Sequence, residues 1–205
     1  MSSQFIFVHG WGMAPNFWDA LIKRLPKLNA RRVNLGFIGE ESDLLEHDTE
    51  EAIFITHSLG TMWALKKHHA NIKALIAING FSCFHPLTDE RTLRTMKIRL
   101  EKKPEAQMKD FWDMCDLPHN ENLNTERLKE GLEWLSSWDV QHELKTLTCP
   151  ILAMAGRDDP ILPMDNIQKQ WTGFDLHICE NGGHVLPISN TKWCADHIKV
   201  FTDAL

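Results

Sequence analysis

Four short, uninterrupted apolar runs punctuate the chain, at residues 5–8 (F-I-F-V), 52–56 (A-I-F-I-T), 74–78 (A-L-I-A-I) and 151–155 (I-L-A-M-A). Each has the length and continuous hydrophobicity of a strand covered on both faces, the usual appearance of parallel strands. Helical periods separate them. Phe17, Trp18, Leu21, Ile22 and Leu25 mark a helix that Asn16 would cap and Pro26 would stop. Residues 59–69 follow the second run, with Leu59, Met62, Trp63 and Leu65 on the apolar face, and residues 190–205 form a terminal helix carrying Trp193, His197, Ile198 and Phe201. Weaker strand patterns at 32–35 and 176–179 bring the expected number to about six. Strands alternating with helices predict an α/β fold, a mostly parallel sheet flanked by helices and joined by right-handed crossovers.

One segment departs from this rhythm. From residue 84 to 140 there is no strand-like run, but Leu93, Met96 and Leu100 share one helical face and Met108, Phe111, Trp112 and Cys115 another. A helical block inserted between two sheet strands must lie at the strand ends, where open α/β sheets bind ligands. Residues 84–140 are therefore expected to form a cap, inserted before the 151–155 strand, with residues 1–83 and 141–205 as the core; extra helices packed as scaffold are the alternative.

With 205 residues, 43% of them hydrophobic and 24% charged, the chain suits one globular domain and gives no support to disorder or coiled coil. A net charge of -6 argues against a general attraction to nucleic acid or anionic membranes. The N-terminus lacks a basic, then apolar, export signal, and no stretch approaches the roughly 18 apolar residues of a membrane span. The five cysteines form no C-x-x-C pair, so neither a disulfide framework nor a zinc site is suggested. The expectation is a reduced, cytoplasmic monomer.

The sharpest local feature is I-F-I-T-H-S-L-G at residues 53–60, an apolar strand ending in Ser58 and passing at once into a helix. Such a turn lifts a serine clear of the sheet at a helix N-terminus, where backbone N–H groups favour negative charge. The usual frame is G-x-S-x-G; Thr56 replaces its first glycine and takes more room. A second strand runs into His9-Gly10-Trp11-Gly12, a turn whose glycines allow the Trp11 amide to point at a substrate oxygen beside the Leu59 amide. A hydroxyl needs a base, and a neutral imidazole acts well when a carboxylate fixes its tautomer. The run G-R-D-D-P-I-L-P at 156–163 supplies adjacent acids after a strand, with Asp159 favoured over Asp158 by its G-x-x-D-x-x-x-P frame. The loop E-N-G-G-H at 180–184 supplies His184, the best base among eleven histidines; His57 is set aside because its neighbouring position should send its ring away from Ser58. Ser, then Asp, then His is the chain order of α/β-hydrolases. A triad and two amides require no cofactor or metal.

These motifs make the chain resemble a compact α/β-hydrolase, and most closely the BioH family of pimeloyl-[acyl-carrier protein] methyl ester esterases of biotin synthesis. The similarity rests on V-H-G-W-G-M at 8–13, H-S-L-G at 57–60, G-L-E-W-L-S-S-W-D-V at 131–140, C-P-I-L at 149–152, G-R-D-D-P-I-L-P and G-G-H at 182–184. The resemblance implies Ser58 as nucleophile, His184 as base, Asp159 as orienting acid, the Trp11 and Leu59 amides as oxyanion donors, and Phe111 with the Trp11 ring along the acyl pocket. It implies a methyl ester on acyl carrier protein as substrate. The alternatives are another esterase, a thioesterase or a carbon-carbon hydrolase of this fold, or a ligand-binding protein without activity. Three departures stand out: no leading β-hairpin, N-L-G-F-I-G at 34–39 where D-L-P-G-x-G is common, and a short stretch between that loop and Ser58. The family's cap arginines have no clear counterparts. Instead, Arg91, Arg94, Lys97, Arg99, Lys102 and Lys103 cluster near Glu101, either to receive an acidic carrier protein or as a solvated helix face.

Overall fold

The computed structural model describes residues 3–25, 28–42 and 51–205. Its centre is a six-stranded sheet in the order β2-β1-β3-β4-β5-β6, every neighbouring pair parallel. The strands are β1 (Gln4–Val8), β2 (Asn29–Val33), β3 (Ala52–His57), β4 (Ile72–Ile78), β5 (Ile151–Gly156) and β6 (Asp175–Cys179). The interior strands β3 and β4 are buried almost throughout, which is why their sequences read as unbroken apolar runs. β2 lies at the edge and begins three residues before the expected 32–35 pattern: Asn29, Ala30 and Arg32 are exposed, so backbone pairing to β1, not hydrophobicity, sets its bounds.

Crossover helices cover both faces: α1 (Asp19–Lys23), α2 (Leu59–His68), α6 (Gln141–Thr146), α7 (Met164–Gln170), α8 (Leu186–Ser189) and α9 (Thr191–Asp203). The entry to α1 differs from the sequence expectation. A 3₁₀ turn, Pro15–Trp18, precedes it with Ala14 at the cap position, so Asn16 is inside the turn and not its cap. Proline at the first position of that turn costs nothing, since its missing N–H would have had no partner there. Pro26, the expected stop, lies outside the described residues.

Between β4 and β5 the chain makes three longer helices, α3 (Glu90–Lys102), α4 (Pro104–Met114) and α5 (Thr125–Ser137). Asp89 and Asn124 cap α3 and α5 through side-chain oxygens accepting from the Arg91 and Arg127 N–H groups. The excursion is tied at its root, where Cys83 bridges Asp139 and the Val140 N–H donates to the Ser82 carbonyl. Its far side is pinned to the loop after β1: Trp112 Nε1 donates to Gly12 O at 2.8 Å and Trp11 Nε1 to Leu128 O at 2.8 Å. Gly131 makes this close packing possible, because a Cβ there would stand 2.6 Å from the Trp11 ring and 2.7 Å from Phe37. The G-L-E-W segment thus reads as the seat for Trp11. Among the described residues no helix is long and apolar enough to cross a membrane.

Candidate active site

The C-terminal ends of β1, β3, β4, β5 and β6 converge beneath the three-helix excursion. β3 delivers Ser58 in a backbone conformation rare for a non-glycine residue, φ 52° and ψ -126°, at the residue immediately before α2. Its N–H donates to Ile78 O at 3.1 Å and its carbonyl accepts from Thr61 at 3.0 Å, so neighbouring structure holds the strained geometry in place. Such a turn requires α2 to start almost against β1. Gly60 permits this, since a Cβ there would lie 2.4 Å from the Val8 carbonyl oxygen.

Thr56 is accommodated by a second small residue. Its hydroxyl is 2.8 Å from that of Thr61, and Gly80 faces Thr61 so closely that a Cβ would be 2.2 Å from Thr61 Oγ1. The space that a glycine at 56 would give is supplied at position 80. In the loop after β2, Asn34 does the work of a turn: its amide nitrogen donates to Ile38 O and Glu40 O, and its oxygen accepts from Gly36 N–H.

Asp159 and His184 meet at 2.7 Å through Oδ2 and Nδ1, each side chain only 2% exposed. Asp158, its neighbour, points to solvent. The second Asp159 oxygen accepts from the N–H groups of Ile161 (2.8 Å) and Leu162 (3.0 Å), so both carboxylate oxygens are hydrogen-bonded. The loops bearing the two residues are joined by backbone bonds, Asp158 N to Gly182 O at 2.9 Å and Arg157 N to Cys179 O at 3.0 Å. Gly156 allows that approach, since a Cβ would be 2.3 Å from Gly182 O. With Nδ1 engaged by the carboxylate, the tautomer and orientation of the His184 ring are fixed.

Ser58 and His184 face one cavity of about 290 Å³, whose walls are apolar and include Trp11, Phe111, Phe81 and Leu135. The Trp11 and Phe111 rings meet edge to face at 4.8 Å. Among the described residues no hydrogen bond joins Ser58 Oγ to His184, whose Nδ1 is engaged by Asp159; such bonds are often poorly aligned in free enzymes. The Leu59 N–H starts a helix and has no acceptor within it, and the Trp11 N–H makes none of the described backbone hydrogen bonds of turns and caps.

Two buried histidines flank the pair. His9 donates from Nδ1 to Gly10 O at 2.9 Å and accepts at Nε2 from the Leu35 N–H at 3.1 Å, a neutral arrangement, and burial lowers its pKa to about 4. His57, set aside in the sequence reading, packs edge-on against the His184 ring at 4.8 Å, and its Nε2 donates to the His184 carbonyl at 2.8 Å. Burial, reinforced by the proximity of His184, drives its pKa well below the ordinary histidine value. It buttresses the His184 loop as a neutral ring.

The sequence reading missed Asn79. Its amide nitrogen donates to Asp159 Oδ2 at 2.7 Å, Gly183 O at 2.9 Å and His184 O at 3.0 Å, while its oxygen accepts from Gly156 N–H at 3.1 Å. One side chain thereby fastens acid, base and the end of β5. Its φ of 46° is a left-handed conformation that asparagine tolerates better than most residues. An Asn standing directly between a buried strand and a glycine was the available signal.

The model of the alpha/beta hydrolase family matches residues 5–197. The chain belongs to the alpha/beta hydrolase family. It is 24% identical over 213 aligned positions to a pimeloyl-[acyl-carrier protein] methyl ester esterase of Legionella pneumophila (strain Paris), covering 91% of this chain and 89% of that protein. It is 25% identical to a putative carbamate hydrolase of Serratia proteamaculans, over 68% of this chain and 61% of that one. The fold matches an esterase from Exiguobacterium antarcticum with a TM-score of 0.81 at 15% identity, covering 98% and 92% of the two chains. Within this alpha/beta hydrolase, the serine turn, the acid loop and the histidine loop follow β3, β5 and β6 of a single sheet.

Proposed function

We propose that this hydrolase is a serine carboxylesterase whose substrate is the methyl ester of pimeloyl-[acyl-carrier protein]. The observation that carries the reading is the buried Asp159–His184 pair opening onto the same apolar cavity as the strained Ser58. His184 takes the Ser58 proton as Oγ attacks the ester carbonyl, and Asp159 stabilises the imidazolium that forms. The Trp11 and Leu59 amides receive the developing oxyanion. The alcohol then leaves with the proton from His184, and water repeats the sequence to release the acid. Binding energy from the apolar walls holds the acyl chain, with Trp11 and Phe111 against it.

Helices α3 to α5 serve as a cap, residues 84–140, over a core of residues 1–83 and 141–205. The relatives named as methyl ester esterases along nine-tenths of this chain support the substrate. In the cap, Lys97 pairs with Glu133 and Arg99 with Asp110, while Arg91, Arg94, Lys102 and Lys103 are exposed and free of ion pairs among the described residues. Four uncommitted cations on a protein of net charge -6 are suited to receiving an acidic carrier.

The test is rescue of a biotin-requiring bacterial strain that lacks its own methyl ester esterase. Growth without biotin is expected from the wild-type gene and not from Ser58→Ala. Failure of the wild type to rescue, with the protein expressed and hydrolysing simple esters, rejects the substrate and leaves a general esterase.

A further inference from the structure

Two neighbouring strand ends reach the backbone of the base. His57 closes β3 and is the register partner of Ile78, the last residue of β4, which Asn79 follows. From these positions His57 Nε2 donates to the His184 carbonyl oxygen at 2.8 Å and Asn79 Nδ2 to the same atom at 3.0 Å, so each of its lone pairs has a donor. The His57 ring also faces the turn after β1: a Cβ on Gly10 would stand 2.8 Å from Nδ1 and 3.0 Å from Ser58 Cβ. Phe17 packs on the ring at 4.6 Å. Nδ1 is enclosed and has no partner among the described residues. Burial keeps the ring neutral, so a single nitrogen carries hydrogen, and committing it to Nε2 leaves Nδ1 a bare acceptor. A buried acceptor without a partner is destabilising, and a phenyl ring of similar size would avoid that cost. What the position gains from an imidazole is the donor to His184.

We infer that His57 is a positioning residue for the reaction, the direct tie between nucleophile and base: it is joined to Ser58 by a peptide bond and to the His184 main chain by its Nε2–H, and its ring spaces that loop from the Gly10–Trp11 turn. This rests on the esterase reading of Ser58 and His184 and adds what sets the distance between them. Asn79 fastens acid to base, and His57 fastens nucleophile to base. The ring is wholly buried and out of reach of substrate, so it acts through the His184 backbone alone. A shift of the His184 loop relative to Ser58 must break or bend this one hydrogen bond, whichever way the cavity is filled.

The test uses three variants. His57→Gln keeps an N–H at the reach of Nε2, His57→Asn draws it back to the place of Nδ1, and His57→Phe keeps a ring and loses the donor. On a soluble ester, His57→Asn and His57→Phe should lower kcat by about 10- to 100-fold, the scale on which a small misplacement of a catalytic group acts. KM should stay within about twofold of wild type, because the cavity walls are untouched. His57→Gln should recover most of kcat. Urea unfolding of each variant separates positioning from packing: kcat that simply follows stability across the three would overturn the inference. So would wild-type kcat in His57→Phe, or His57→Gln as slow as His57→Asn, a comparison that holds even where His57→Phe does not fold. Should the wild type hydrolyse no ester, the esterase reading fails by itself, and the proton NMR signal of the His184–Asp159 hydrogen bond decides the tie. That signal is expected to match wild type in His57→Gln and to broaden or vanish in His57→Asn; the same signal in both would overturn the positioning role.

Discussion

At the scale of single residues, the chemistry is arranged by groups that touch one another through short, well-partnered bonds. That Asp159 meets His184 and that Ser58 shares their cavity was legible because each is a chemically specific residue placed just after an apolar run, and a sheet brings strand ends together. Asn79 was not legible, since a lone Asn after a strand looks like a turn residue until its partners are seen. Asn79→Ala removes the donor shared by Asp159 and the histidine loop. It should lower kcat/KM by about 10- to 100-fold through misplacement of the base, and cost roughly 1–3 kcal/mol for the partners left unpaired. Asn79→Asp should be worse for activity, because it sets a second carboxylate against Asp159 Oδ2. Steady-state kinetics on a soluble ester, with urea unfolding of each variant, check both; wild-type kinetics in Asn79→Ala would remove its positioning role.

At the scale of elements, the strands were read to within a residue or two except for the bounds of β2. β3 and β4 show themselves by continuous hydrophobicity, whereas β2 is an edge strand with Asn29, Arg31 and Arg32, whose bounds come from pairing with β1. The start of α1 escaped because a Pro-led 3₁₀ turn replaced the expected side-chain cap. The helices between β4 and β5 were visible by their period, but not their attachment, which depends on two indole N–H groups and the absent side chain of Gly131. Helix α3 carries its own prediction. Lys102 and Lys103, exposed at and just beyond its C-terminal end, take no part in the cavity. Replacing both by Glu should raise KM for a carrier-linked ester by roughly 3- to 10-fold, chiefly by slowing encounter, and leave a small soluble ester unaffected. Equal kinetics on both substrates would show α3 to be only a solvated face.

At the scale of the whole molecule, one continuous apolar core extends from the sheet into the excursion, so the site's floor and its cover are parts of the same packed unit. Stability should therefore register any strain placed on the buried polar groups around the site. His9 is neutral in the fold with a pKa lowered from 6.5 to about 4, and His57 is lowered as well. The unfolded chain thus binds more protons between those values. The contribution of these histidines is fully present above pH 6.5 and declines as the pH falls toward 4. For His9 alone the loss is about 3 kcal/mol. Urea unfolding across that range should show the decline; a flat profile would mean the two rings are hydrated or already charged in the fold. The central claim is that Ser58 is a nucleophile activated by His184. Its most direct measurement is reaction with a fluorophosphonate followed by peptide mass spectrometry. One adduct is expected, on the peptide containing Ser58, absent in Ser58→Ala and strongly slowed in His184→Ala. Hydrolysis that persists in Ser58→Ala, or an adduct found on another residue, would contradict it.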